Sequence, residues 1–123
     1  FTATDTMADS GLHARLLVGQ RLPVQQLVAD AQALHTLLAQ ARVTLFKNGQ
    51  VVEQGSGTHV LDSPLNALHH FLKELRQCPG AVDLQAGDVV TTGTWTDAWP
   101  VQAGENWRAE FSAPLGSLSA RMR

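Results

Sequence analysis

The sequence predicts an α+β fold, built on a mixed, mostly antiparallel β-roll or sandwich with one or two helices. Three observations predict it: an alternating run on either side of Asn48-Gly49, a leucine stripe after Ser63-Pro64, and a second half rich in threonine and valine. Helices and strands do not alternate regularly, so a parallel βαβ sheet is not expected. The 123 residues fit one domain that is large enough for a core.

Two elements are expected before residue 41. Residues 12–18 (LHARLLV) predict a short strand that ends at Gly19. Pro23 suits the first position of a helix, because its missing N–H is not needed there. Apolar residues then recur at spacings of three, four and seven, so this helix is expected to run to about residue 40.

The clearest local signal is a β-hairpin at residues 42–54. The run from Arg42 to Lys47 alternates and is followed by Asn48-Gly49. This dipeptide supplies the two positive φ angles of a type I′ turn, which joins antiparallel strands. Gly55-Ser56-Gly57 is expected to break the second strand as a flexible connection. A phosphate-binding loop is disfavoured, because no lysine and no immediate helix follow.

A second helix is predicted after the hairpin. Ser63 and Pro64 suit the N-cap and the first helical position, and Pro79-Gly80 suit its end. One helix face carries an apolar stripe formed by Leu65, Leu68, Leu72 and Leu75, with Phe71 beside it.

The remainder of the chain is predicted to contain only strands, at 88–95, 99–102, 105–111 and 116–121, which gives about seven in all. Two similar Ala-Gly-acid turns precede two of them, with Asp88 and Glu105 expected as turn caps. The side chains expected to pack on the sheet are Trp99, Val101 and Trp107. Arg108 and Glu110 are expected on a strand face, because they alternate with apolar neighbours.

Composition and charge exclude several function classes. The net charge is -2 and no block of Lys or Arg occurs, so a nucleic-acid partner is not expected. No apolar run approaches the ~18 residues of a membrane span, so no membrane partner is expected. Cys78 is the only cysteine and no signal-peptide pattern is present, so a cytoplasmic location is expected. Because the chain begins Phe1-Thr2-Ala3, we expect it to be a piece of a longer polypeptide.

Candidate metal ligands and nucleophiles are few. His69-His70 is a possible metal pair, but adjacent helix positions point about 100° apart. One packed and one solvated histidine is the favoured interpretation, and ligation would need His35 or His59 from elsewhere in the fold. Cys78 follows a helix C-terminus, which disfavours the reactive thiolate. The acidic residues form no E-x-E or D-x-D pair, so no complete carboxylate metal site is expected within the chain.

The segment from residue 86 to 107 is the best candidate for a ligand site. Threonine favours strands, so Thr91 to Thr94 are explained by plain β-sheet. A glycine within a strand, however, often marks a bulge or a close backbone approach. Hydroxyl and N–H groups beside Gly93 can hold a carboxylate, so both interpretations stay open on the residues alone.

Several short motifs occur in a specific order and spacing. They are Asn48-Gly49, Gly55-x-Gly57, Leu61-x-x-Pro64-Leu65-x-Ala67, Leu84-x-Ala86-Gly87-Asp88, Thr92-Gly93-Thr94, Val101-x-x-Gly104 and Leu115-Gly116-Ser117. Together they resemble the 2-keto-4-pentenoate hydratase / 2-oxo-hepta-3-ene-1,7-dioate hydratase / 4-oxalocrotonate decarboxylase group of the fumarylacetoacetate hydrolase superfamily. The resemblance covers residues 1–123 as a single segment, similar to the C-terminal half of such a catalytic domain.

The resemblance implies a partial fumarylacetoacetase C-terminal-like fold and a part in a metal-dependent hydratase. Such an enzyme adds water to a 2-hydroxy- or 2-oxo-dienoic acid in the breakdown of aromatic compounds. The alternatives are a 2-oxo-acid decarboxylase and a non-catalytic structural or oligomerisation module. In the family Mg²⁺ or Mn²⁺ polarises the acid and stabilises an enolate. The metal ligands and the main acid/base residues are implied to lie upstream, so we expect this segment to hold no metal, to contribute no catalytic residue and to be inactive alone. A homo-oligomer is also implied.

The resemblance also implies the residues of a substrate site. Thr92, Gly93 and Thr94 would lie near the substrate carboxylate. Ser10 stands where the family's "ADN" segment has asparagine and is the fourth substrate-binding candidate. The superfamily's TGTP sequence continues here as Thr94-Trp95, so a tryptophan would narrow the pocket. Asp62 stands where glycine is common.

Overall fold

The computed structural model describes residues 15–123 of the chain. The helices are α1 (Val24–Leu27), α2 (Ala31–Gln40) and α3 (Pro64–Gln77), and the strands are β1 (Arg42–Lys47), β2 (Gln50–Ser56), β3 (Asn106–Phe111) and β4 (Ser117–Arg121), with a 3₁₀ turn at Gly57–His59. The strands form one antiparallel sheet in the order β2-β1-β3-β4. The predicted α+β fold with an antiparallel sheet is therefore confirmed.

The helix predicted from Pro23 to about residue 40 is in fact two helices. Pro23 caps the four-residue α1, and the backbone becomes extended at Val28. A second helix then begins after Asp30, whose Oδ1 accepts a hydrogen bond from the Ala33 N–H at 2.7 Å. An aspartate that binds the backbone in this way starts a new helix. The apolar periodicity alone therefore overestimated the length of the first helix.

The predicted hairpin is confirmed, and its turn has the expected geometry. Asn48 and Gly49 both have positive φ angles, 50° and 83°, as a type I′ turn requires. A bulge between Leu45 and Phe46 shifts the pairing of β1 with β2. At the tip, Asn48 Oδ1 accepts a hydrogen bond from the Asn106 N–H at 2.9 Å, which ties the turn to β3.

Gly55 and Gly57 do not form the flexible connection that the sequence predicts. Gly55 lies within β2, and a Cβ there would be 1.9 Å from the carbonyl oxygen of Trp95. A Cβ at Gly57 would be 1.8 Å from the carbonyl oxygen of Leu38. Both positions therefore require glycine because another backbone packs against them, which a local sequence pattern cannot reveal.

Helix α3 begins as predicted. The hydroxyl of the fully buried Ser63 accepts a hydrogen bond from the Leu65 N–H at 3.3 Å, and Pro64 occupies the first helical turn. The helix ends at Gln77, just before Pro79-Gly80. The four leucines of the stripe are less exposed than the neighbouring charged positions, so the apolar face is the inner one.

Two of the four strands predicted after α3 are present. Strands β3 and β4 correspond to the predictions at 105–111 and 116–121, whereas residues 88–95 and 99–102 pair with no other strand. Residues 15–18 of the first predicted strand also form none, and its residues 12–14 lie outside the described part. The strand propensity of valine and threonine is realised only beside a pairing partner. The structure thus has four strands in residues 15–123, and the predicted total of seven is wrong.

The apolar core of the described residues is small. Its buried members are Ala41, Val43, Val60 and Trp107. Trp107 packs as predicted, but Trp99 and Val101 are 43% and 54% exposed, so the predicted packing of those two is wrong.

The face of the sheet opposite to that of Val43 carries the charged residues, as predicted. Arg108 lies over the ring of Phe46, with its guanidinium carbon 4.4 Å from the ring centroid, and it pairs with Glu110. Both charged residues are therefore strand-face residues.

Across residues 15–123, every helix is too short or too polar to cross a membrane.

Candidate functional site

A cleft of about 430 Å³ lies on one face of the sheet. Val43 pairs with Phe111 across the strands and Leu45 pairs with Ala109, so the four side chains share this face. We call them the apolar floor. Residues 90–96, which also line the cleft and include Thr92, Gly93 and Thr94, are called the threonine wall.

Within the threonine wall, Gly93 has an unusual backbone conformation. Its φ angle is +125°, a value that side-chain-bearing residues rarely adopt. A Cβ there would also be 3.2 Å from Cγ1 of the buried Val60. A side chain at this position would therefore be both strained and tightly packed. Thr92 is half-buried, whereas Thr94 is exposed.

All three residues of the Thr92-Gly93-Thr94 motif line the cleft. Their part in binding a substrate remains a prediction. Ser10, the fourth candidate, lies outside the described residues, so its part in the site also remains a prediction.

Trp95 also lines the cleft and makes two contacts with neighbouring segments. Its ring packs edge-to-face against Phe111, with the centroids 5.6 Å apart. Its carbonyl oxygen lies 2.9 Å from Nδ1 of His59. Because a carbonyl oxygen can only accept, Nδ1 of His59 carries the proton in this contact.

Glu53 on β2 holds the chain beyond Trp95. Its carboxylate accepts a hydrogen bond from the indole N–H of Trp99, and it also accepts one from the Asp97 N–H, 3.0 Å from Oε1. These bonds, that of Trp99 first, hold the pKa of Glu53 below its ordinary value. The sequence did not reveal Glu53 at all and suggested His59 only as a metal ligand. Their partners lie 36 to 46 positions away, so no local pattern could have found them.

The two Ala-Gly-acid turns that flank the threonine wall have the same structure. Gly87 and Gly104 both have positive φ angles. Asp88 accepts a hydrogen bond from the Gln85 N–H at 2.7 Å, and Glu105 accepts one from the Gln102 N–H at 3.0 Å. The predicted capping roles are confirmed, so these carboxylates stabilise turns.

Glu105 has further partners. Lys47 Nζ lies 2.6 Å from its carboxylate, and the indole N–H of Trp107 donates to it at 3.0 Å. The hydrogen bond from Lys47, together with those from the Gln102 N–H and Trp107, lowers the pKa of this buried glutamate.

The described residues do not fit a metal ion. Within residues 15–123, no three His, Cys, Asp or Glu side chains come together in a way that could hold one. His69 and His70 are both exposed and stand edge-to-face, so the prediction that one of them is packed is wrong. Cys78 is exposed at the C-cap of α3.

The family described as fumarylacetoacetate (FAA) hydrolase C-terminal matches residues 6–123. The 2-keto-4-pentenoate hydratase of Paraburkholderia phymatum is 32% identical over 116 residues, which are 94% of this chain and 40% of that protein. The 4-oxalocrotonate decarboxylase of Pseudomonas putida is 32% identical over 121 residues, 98% of this chain and 42% of that protein. The chain thus spans about two fifths of the length of these relatives.

A solved structure shows the same likeness. The 4-oxalocrotonate decarboxylase from Pseudomonas putida G7, complexed with calcium and acetate, has a TM-score of 0.63 and 36% sequence identity. The match covers 70% of this chain and 32% of that one. The same enzyme complexed with magnesium and adipate matches equally well. Since the family match extends over nearly the whole sequence and the solved structures share its fold, the chain belongs to the fumarylacetoacetate (FAA) hydrolase C-terminal family.

Proposed function

We propose that this chain is the C-terminal part of an enzyme that adds water to a short 2-hydroxy- or 2-oxo-dienoic acid. The observation that carries the proposal is the cleft between the apolar floor and the threonine wall. An apolar floor suits the hydrocarbon chain of such an acid, and a few converging polar groups suit its carboxylate. The relatives named 2-keto-4-pentenoate hydratase support this class of substrate.

In this proposal the chain binds and orients the acid. The Thr94 hydroxyl donates to the carboxylate, and the floor residues Val43 and Phe111 keep water from one side of the dienoic chain. We assign no proton transfer to Glu53, Asp88 or Glu105, because each already accepts hydrogen bonds from N–H groups of the protein.

The complete enzyme is expected to use a divalent cation, Mg²⁺ or Mn²⁺. The solved relatives support this, since one is complexed with calcium and acetate and the other with magnesium and adipate. The side chains described here form no site for such a cation. Its ligands, in this proposal, belong to residues of the polypeptide outside 15–123.

The test uses the full polypeptide that contains this chain, with Mg²⁺ and 2-hydroxypenta-2,4-dienoate, and follows the loss of dienol absorbance. Thr94→Val removes a hydrogen bond to a charged group, a loss of about 1.5–3 kcal/mol that corresponds to about 10- to 150-fold in kcat/KM. Thr44→Val on the opposite face of β1 is the matched control. The proposal fails if the folded wild-type protein turns over no short dienoate. Unchanged kinetics in a folded Thr94→Val variant would contradict the assignment of Thr94 to substrate binding and leave the threonine wall with a structural role.

A second candidate function is decarboxylation of a 2-oxo acid. It is favoured by the relatives named 4-oxalocrotonate decarboxylase, which include the solved structures. Incubation with 4-oxalocrotonate and measurement of released CO₂ separates the two activities. If neither reaction occurs, a non-catalytic structural module is the remaining proposal. A homo-oligomer is also proposed, and light scattering of the full polypeptide tests it.

A further inference from the structure

Two clefts of the molecule share a wall. The first, of about 430 Å³, is the cleft between the apolar floor and the threonine wall. The second, of about 320 Å³, lies between residues 19–22 and the start of β4, and its lining includes Leu115 and Leu118. Trp95 and Phe111 line both. Because their rings meet edge-to-face, this pair is a partition between the mainly apolar first cleft and a second cleft with both apolar and polar lining.

The main chain that carries Trp95 is anchored by β2 and the turn after it. The Trp95 carbonyl accepts a hydrogen bond from His59, and the absence of a side chain at Gly55 lets β2 pack directly on that carbonyl. The Glu53 carboxylate accepts a hydrogen bond from the N–H of Asp97, two residues after Trp95. Two groups, His59 and Gly55, thus contact the main chain of Trp95, and Glu53 holds the main chain two residues further on.

We propose that Trp95 is a specificity-determining residue that closes the end of the first cleft and restricts its ligands to short carboxylic acids. The inference rests on the proposed function, since it places the acid against the threonine wall. Removal of the indole ring would join the two clefts. The hydrocarbon tail of a longer acid would then pass Phe111 and enter the space beside Leu115 and Leu118.

Binding of saturated straight-chain acids tests the inference without any catalytic step. Calorimetry on the full polypeptide with Mg²⁺ would compare the series from butanoate to octanoate. In the wild-type protein, affinity is expected to stop rising once the tail reaches Trp95. In Trp95→Ala it is expected to keep rising about fourfold for each further buried methylene. Phe46→Ala is the matched control, because it truncates an aromatic ring on the opposite face of the sheet and should leave the length dependence unchanged.

The outcomes separate the inference from the proposed function. If the wild-type protein binds short acids and Trp95→Ala shows the same length dependence, the role of Trp95 is overturned while the proposed function stands. If the wild-type protein turns over the dienoate but binds no straight-chain acid, the role of Trp95 is overturned while the proposed function stands, and absence of turnover overturns both. A crystal structure of Trp95→Ala in which the two clefts stay separate also overturns the role of Trp95. Trp95→Leu replaces Trp95→Ala if the alanine variant does not fold, and a smaller extension of the length range is then expected.

Discussion

Replacing Gly55 with alanine is expected to displace the threonine wall. A Cβ at Gly55 would lie 1.9 Å from the carbonyl oxygen of Trp95 and 2.7 Å from its carbonyl carbon. Both atoms are backbone, so no side-chain rotation can relieve the overlap. Strand β2 is hydrogen-bonded to β1, whereas residues 88–95 pair with no strand. The chain around Trp95 is therefore the part that moves.

The size of the displacement follows from the contact. Cβ atoms essentially never approach other heavy atoms within 3.0 Å, so the gap must open from 1.9 Å to at least that distance. Overpacking of this kind costs about 1–3 kcal/mol of stability. A misplacement of about 1 Å in a group that positions substrate costs on the order of 100-fold in rate. We expect Gly55→Ala to lower kcat/KM for the dienoate by about 10- to 100-fold.

Gly57→Ala is the matched control for this experiment. A Cβ at Gly57 would lie 1.8 Å from the carbonyl oxygen of Leu38, an overlap of the same kind and size. Leu38 belongs to α2 and is not part of the cleft lining. Urea denaturation is expected to show similar losses of stability for both variants, whereas the absorbance assay on the full polypeptide with Mg²⁺ is expected to show the kinetic loss only for Gly55→Ala.

Two results would contradict the expected displacement of the threonine wall. Equal kinetics of folded Gly55→Ala and Gly57→Ala would show that the contact between β2 and Trp95 does not set the position of the wall. A crystal structure of Gly55→Ala in which the Trp95 carbonyl has not moved away from β2 would contradict the geometric argument itself.

Two further predictions concern stability. The pKa of Glu105 is held below its ordinary 4.5, first by Lys47, so the stability it contributes is complete above the unfolded pKa and is lost as the pH falls through the lower folded pKa. The urea midpoint of the wild-type protein is therefore expected to fall as the pH is lowered below about 5, and Glu105→Gln is expected to make this fall less steep. An equally steep fall in the variant would contradict the prediction. Asn48→Ala removes the acceptor of the Asn106 N–H and is expected to cost about 1 kcal/mol in urea denaturation. An unchanged midpoint in that variant would show that the bond contributes nothing.

The elements that could be predicted are those whose causes lie within a few residues. Asn48-Gly49 determines the hairpin because both residues tolerate a positive φ angle. Ser63 and Pro64 determine where α3 begins, because their hydrogen bond and ring act on the first helical turn. Gly93 within the threonine run is also a local signal, but it was interpreted within a strand that residues 88–95 do not form, and the part of Thr92-Gly93-Thr94 in binding substrate remains a prediction.

The parts that could not be predicted depend on contacts between distant segments. Valine and threonine predicted a strand at 88–95, but a strand needs a partner, and the local sequence does not show whether one is present. Gly55 and Gly57 appeared flexible from composition, whereas each is packed against a backbone from another segment. The predicted total of seven strands was wrong for the same reason, because propensity was counted without pairing.

These non-local contacts determine which residues control the cleft. The sheet supplies the apolar floor through strand pairing, but the threonine wall is not a strand, so the sheet does not set its position. That position comes instead from Glu53, Gly55 and His59, of which only Gly55 belongs to a motif of the family resemblance. The wall and its supports therefore have separable effects. A change at Trp95 alters how far the cleft extends, whereas a change at Gly55 alters where the whole wall lies. Substitutions within the wall are therefore expected to change the length of the acid that binds. Substitutions at its supports are expected to lower activity while the protein stays folded.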